Sequence, residues 1–486
     1  AGLPEAIEKM AAVYRTGEGV ARDYRAAVQW QERAVSHLED QWEEQQTEAA
    51  FSQYAAALWD LGDKYSDLSD LAAARTVWEE DFLPLVVHGQ EKGFSSARRY
   101  QSVVCNKLGD LCRAEGNLSA ARRWFEKGLE LARAIVEETG TSQARWDLSI
   151  SCEKMGLLYQ AERNLPAARR WFEKEQKLSR ALADETGTHA ARQSLSVSCE
   201  RLGDLCQLEG DLPAALHWFK ECLVLRRTLA DEIGTFEAWC SLSVCYDKIG
   251  FLFQMMGTLP AAQRWFEKSI ALFDALTNKT NTPETRRFLA VSLGNRGDVF
   301  QEESNLFAAR HWFEESLSLF RSLADEIGTL QSKRDLAVAC EKMGDVYRAM
   351  GNLHGASLLF EEGMQLTKFL ADETGTPEAR RDFSISCEKM GDLCKAEDDL
   401  PAARRWFEKG LELARTLAEE TGTPEARDDL AVSLFKLGSL PGGDVEFLRQ
   451  AADIWQQLSE AYPAIARYAK NRDIARRASA KRSCSP

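Results

Sequence analysis

Apolar residues recur along this chain with helical spacing, and the pattern restarts at a fixed interval. Within 400–420, Ala403, Phe407, Gly410, Leu411, Ala414 and Leu417 fall on one helical face, which Trp406 and Leu413 widen. A stripe that broad predicts a helix covered on more than one side, as in a unit packed between neighbours. The stretch before it, "ARRDFSISCEKMGDLCKAE", predicts a partner helix. Thr376 is a good N-cap for that helix, Pro377 suits its first position, and Glu378 complements its dipole. "DDLP" breaks the pattern, Pro401 opens the second helix, and Thr421–Gly422 ends it with glycine as the C-cap.

This two-helix pattern repeats. Trp30, Trp124, Trp171, Trp218, Trp265, Trp312 and Trp406 all differ by multiples of 47. Gly62, Gly109, Gly156, Gly203, Gly250, Gly297, Gly344, Gly391 and Gly438 keep the same interval, as do Ala74, Ala121, Ala168, Ala215, Ala262, Ala309, Ala356 and Ala403. "AARRWFEKGLELAR" occurs at 120–133 and again at 402–415, six periods apart since 6 × 47 = 282. Such a period predicts stacked helical hairpins, none of which can bury its faces alone.

Composition agrees. The chain is rich in Ala, Leu, Glu, Arg and Lys, with 12 Pro in 486 residues, a balance that predicts an all-α protein. Its net charge of −15 disfavours non-specific binding to nucleic acid or acidic membranes. No apolar run approaches the roughly 18–20 residues of a membrane helix, and no secretory signal opens the chain. The first residue is Ala rather than Met, which leaves room for an upstream domain. There are 12 cysteines but no Cys-x-x-Cys. Cys105/Cys112, Cys199/Cys206 and Cys387/Cys394 are spaced about 10 Å apart along a helix, too far for a disulfide. They are expected to be small buried residues in a reducing cytoplasm.

No nucleotide-binding, metalloprotease or serine-hydrolase motif is present. His37, His88, His189, His217, His311 and His354 are scattered, and the position shared by His217 and His311 holds Arg170 and Arg405 elsewhere, so it reads as surface. Carboxylate pairs recur in every period, whereas catalysis needs one preorganised site. No enzymatic activity, cofactor or metal is expected.

The residues of "SISCEKMGDLCKAEDDLPAARRWFEKGLEL" resemble the tetratricopeptide repeat family, with Gly391, Ala403 and Phe407 at its small-small-aromatic positions. Cys394 stands where a Tyr is usual, and Tyr159 and Tyr347 restore it in other copies. The period exceeds the family's about 34 residues, implying longer helices. Residues 1–48 resemble instead a Sel1-like repeat, through Gly17, Gly19, Val20, Ala26, Ala27 and Trp30. The resemblance implies a right-handed α-solenoid of stacked helix-turn-helix repeats: a Sel1-like start at 1–48, an array at 49–461 and a basic helix or tail at 462–486. That tail carries Arg467, Lys470, Arg472, Arg476, Arg477, Lys481 and Arg482 against Asp473. It reads either as a contact for nucleic acid or an acidic partner, or as a polar capping helix.

In that family the first helix of each unit lines a concave groove. By resemblance, three positions per unit face it: Glu153/Leu157/Gln160, Glu200/Asp204/Gln207, Asp247/Phe251/Gln254, Gly294/Asp298/Gln301, Glu341/Asp345/Arg348 and Glu388/Asp392/Lys395. The expected groove is an acidic ladder with a polar third row, suited to a basic or amphipathic protein segment. The family's carboxylate-clamp members use Lys and Asn there, so capture of acidic peptide tails is not expected. Alternatively the carboxylates solubilise the face and pair with lysines such as Lys389. Leu157 and Phe251 interrupt the ladder, and Met255 and Met256 follow; these side chains could anchor a partner or pack on a neighbouring helix. Asn281 takes the place of the C-cap glycine in one unit and suits the left-handed conformation. The expected function is a protein- or peptide-binding scaffold or adaptor. The alternative is the sensor or regulatory arm of a larger signalling, transcription-control or defence effector whose catalytic or DNA-binding domain lies outside these residues.

Overall fold

The computed structural model of the chain describes residues 3–16, 24–67, 70–462 and 466–483. Gly17, Gly19 and Val20 lie outside the described residues. Among the described residues there are helices and no strands. They form an α-solenoid of stacked helical hairpins, grouped in two compact units, 1–205 and 206–486.

The sequence period is the structural period. First helices begin at Ser142, His189, Phe236, Pro283, Leu330, Pro377 and Pro424, each 47 residues after the last. Second helices begin with the same interval from Leu118 through Leu165, Leu212, Leu259, Leu306 and Leu353 to Leu400. Helix ends fall where local chemistry puts them. Thr141, Thr235, Thr282, Thr329, Thr376 and Thr423 sit in extended conformation, and each side chain accepts from the amide three residues on. Second helices stop at left-handed glycines such as Gly375 and Gly422. Asn281 fills the equivalent place with φ 47°, as its side chain permits.

Six hairpins close by one recurring contact. The phenyl ring of Phe125, Phe172, Phe266, Phe313, Phe360 or Phe407, all buried, lies over a glycine of the preceding first helix. A Cβ built on Gly391 would stand 2.5 Å from the Phe407 ring, and one on Gly109 2.4 Å from that of Phe125. Trp78 takes the same role over Gly62. That early hairpin also departs in its second helix. Residues Val77–Phe82 form a π-helical turn ahead of Pro84, with the Leu83 N–H donating to the Trp78 carbonyl. Proline lacks the N–H an α-turn would use, and the wider turn accommodates it.

The cysteines that can be placed are free thiols, buried except for half-buried Cys240. In the second unit the basic helix Ala466–Ser483 docks on helix Val445–Ala461, burying Tyr468 and Ala475 beside Trp455 and Leu458. Arg482 donates to the carbonyls of Gly438, Leu440 and Gly443, and Arg467 pairs with Asp428 at 3.0 Å. This segment is thus a cap over the last hairpin, with Lys470, Ile474, Arg477 and Lys481 left on its outer side.

Candidate functional site

The three expected rows of the first helices behave differently. In the middle row, carboxylates bridge to the next first helix. Asp110 pairs with Lys154 at 2.7 Å in the first unit. Asp298 pairs with Lys342 at 2.6 Å, Asp345 with Lys389 at 2.5 Å and Asp392 with Lys436 at 3.1 Å in the second. Every pair spans 44 residues, one period minus almost a helical turn, so each is a rung between successive units. Burial raises the pKa of Asp298 even against the opposing Lys342 charge. Asp204 is half-buried.

The row one turn earlier is drawn further in. Glu388 is buried, accepts from the Ser433 hydroxyl at 2.6 Å and pairs with Lys436 at 2.9 Å. Glu341 accepts from Ser386 at 2.5 Å; burial pushes its pKa up to about 7 against that bond and Lys389. Burial likewise pushes Asp247 up to about 7, against a hydrogen bond from Ser269. Glu153 and Glu200 are half-buried, and Glu153 accepts from Arg201 at 2.9 Å. Glu153, Glu341 and Glu388 of the first row therefore contact the next first helix.

The third row lies at the helix ends. Gln207 Nε2 donates to the Met255 sulfur at 3.2 Å and Gln254 Nε2 to Glu302 at 2.5 Å. Arg348 pairs with Asp345 at 3.0 Å. Gln160 and Gln301 are half-buried, and Lys395 is exposed.

The two interruptions of the ladder have counterparts on the opposite helix. Leu157 is half-buried; with no carboxylate there, Arg201 in the lysine position turns to Glu153 instead. Phe251 is matched by Asn295, where other units carry a lysine. The missing rung leaves apolar surface. Phe251 is 38% exposed, Met255 54% and Met256 38%. Phe251 rests its edge on Phe266, ring centroids 5.1 Å apart. Phe251 therefore packs on a neighbour and still shows a face to solvent. Val244, two turns earlier on the same face, is also exposed.

The lysine and serine rows escape a reading confined to one helix. Their signal was present, since Lys342, Lys389 and Lys436 stand 47 residues apart, as do Ser386 and Ser433. So was that of Glu175, a carboxylate 3% exposed on a second helix, where other units carry Gly128, Gly363 or Gly410. Burial and neighbouring Glu153 raise its pKa well above the usual carboxylate range, although Arg201 opposes them. Among the described residues no cluster of His, Cys, Asp and Glu could hold a metal ion, and no helix is long and apolar enough to cross a membrane. His217 and His311 are exposed beside Trp218 and Trp312.

Segments 4–37, 142–174, 196–221 and 387–414 match the Sel1 repeat, and segment 103–135 matches the tetratricopeptide repeat. The chain thus carries both repeat types. Sel1 matches extend beyond the N-terminal hairpin into the array, and the last of them contains Gly391, Ala403 and Phe407, the residues that carry the tetratricopeptide resemblance. No curated protein matches the sequence. Similar solved structures include the apo form of RapI, 11% identical with a TM-score of 0.49, covering 91% of this chain and 97% of that one. The apo form of the quorum sensor NprR from B. thuringiensis is 14% identical, with a TM-score of 0.45 over 82% of this chain and 98% of its own. BtubC (BKLC) from P. vanneervenii is 18% identical, with a TM-score of 0.42 over 52% of this chain and 92% of its own.

Proposed function

We propose that the chain is a protein-binding scaffold that engages an amphipathic or basic segment of its partner on the first-helix face of its second unit. The observation that supports this is the apolar step at Phe251, Met255 and Met256, where the Asp–Lys rung is absent from both sides. Exposed aromatic and thioether groups beside charged ones are the composition that anchors partners. Charge plays the lesser part, because lysines of the next unit neutralise Asp298, Asp345 and Asp392. Of the sequence-derived groove, Phe251, Gln254, Gln301, Arg348 and Lys395 are the side chains offered to the partner. Glu341 and Glu388 hold neighbouring units together.

The test is comparative capture by purified protein, read by quantitative mass spectrometry. Phe251→Lys with Met255→Lys is expected to remove a defined set of captured proteins by about tenfold or more, with thermal unfolding shifted little. An identical captured set from wild type and variant would overturn the proposal. So would an equal loss from Phe369→Lys, on a second helix.

A further inference from the structure

From Trp124 to Trp406 the tryptophan row of the second helices has one gap. Trp312 and Trp406 flank position 359, which holds Leu. The hairpin at 118–174 shows what a tryptophan does at that position, four periods earlier since 359 − 171 = 188 = 4 × 47. Trp171 packs against the cluster containing Leu129 and Met155, beside Tyr159. The Arg133 guanidinium lies over its ring, 5.6 Å from the centroid.

The corresponding wall at 306–374 has the same side chains. Leu317, Arg321, Met343 and Tyr347 stand where Leu129, Arg133, Met155 and Tyr159 stand in the template, each 188 residues on. With Leu359 in place of the indole, these residues line an open groove of about 940 Å³. Leu358 at its edge is 57% exposed. Arg321, which has no ring to cover, instead pairs with Glu362 at 2.7 Å, where the template carries Lys174. Walls, floor and one of the template's two cations (Lys174 also lies over Trp171, 5.4 Å from its centroid) are thus present without the chain's own indole.

We infer that this groove is a second docking site, which takes a tryptophan side chain flanked by basic residues from a partner polypeptide. The wall residues argue for the aromatic ring, since the same set already holds one elsewhere in the chain, with Arg321 on the wall beside it. The rim argues for the flanking charge. Glu314, Asp325, Glu326 and Glu362 line the groove. Arg310 pairs with Glu314 at 3.5 Å, Arg286 with Glu326 at 2.6 Å and Arg321 with Glu362 at 2.7 Å, so the rim keeps one carboxylate in excess, with Asp325 exposed. A basic neighbour of the tryptophan would meet carboxylates, whereas an acidic one would be repelled. The site lies between second helices Leu306–Ile327 and Leu353–Thr374, over Met343 and Tyr347 of first helix Leu330–Ala349, and uses none of the side chains assigned to the partner above.

The experiment is fluorescence anisotropy of the full chain with the fluorescein-labelled peptide Gly-Lys-Trp-Lys-Gly, and with its Trp→Ala counterpart. Saturable binding of the first peptide, weakened about tenfold or more by the alanine, is expected. Leu359→Trp refills the groove from within and should abolish binding while leaving the melting temperature unchanged or higher. Should that variant melt early, Leu359→Phe is read in the same way. Phe251→Ala is expected to leave peptide binding intact, which separates this site from the first-helix one. The inference fails if the wild type shows no saturable binding, if both peptides bind equally, or if refilling position 359 leaves affinity unchanged.

Discussion

Gly391 and Phe407 carry the packing of their hairpin between them. The glycine is needed for the space above its Cα rather than for conformational freedom, because a phenyl ring occupies the volume of a Cβ. Gly391→Ala is expected to cost about 1–3 kcal/mol, the usual penalty of overpacking a dense core. Urea unfolding measures it, and Phe407→Leu in the same chain should recover part of the loss. Full stability in the single variant would mean the helices separate without cost. A sequence reading finds such a position through its period, but not the ring that makes it necessary. Glu388 shows the converse. Its helical register places it on a polar stripe, yet Ser433 and Lys436, 45 and 48 residues away, take it out of solvent.

At the scale of the helix, the Asp–Lys rung is the unit of design, and its absence at Phe251 is paired with Asn295. Restoring both partners tests whether rungs stabilise the stack. Phe251→Asp alone sets a half-buried carboxylate against an amide, and Asn295→Lys alone sets a cation against a phenyl ring. The double variant rebuilds the pair found at Asp298 and Lys342. A double-mutant cycle should show favourable coupling of about 0.5–1 kcal/mol, in the range of partly exposed ion pairs. Zero coupling would reduce the rungs to solvated charges. The rebuilt rung should also remove the partner captured through Phe251.

For the whole molecule, the period makes hairpins interchangeable at their joints. Deleting residues 330–376 removes 47 residues (376 − 330 + 1) and joins Thr329 to Pro377. The junction again reads Gly-Thr-Pro, and Lys389 comes to stand where Lys342 met Asp298. The shortened chain should fold with unchanged helicity per residue by circular dichroism, and with a denaturant m-value reduced roughly in proportion to its length. Deleting residues 330–369 instead breaks the register and should give an aggregated or partly unfolded product. Equal behaviour of the two deletions would contradict a stack built from one repeated interface.

The hairpins, their period and their ends were all determined by sequence alone, because each depends on groups a few residues apart: Thr376 on its own helix amides, Gly422 on a left-handed turn, Phe407 on a stripe of its own helix. The residues of the candidate surface were legible as positions but not as exposures. Whether Glu341 meets solvent or Ser386, and whether Asp345 is a free charge or half of a rung, depends on side chains about one period away, brought close only by stacking. The groove at Leu359 is of the same kind. Its missing indole is visible in the letters, but that the remaining residues still form a wall around the space was decided by tertiary packing.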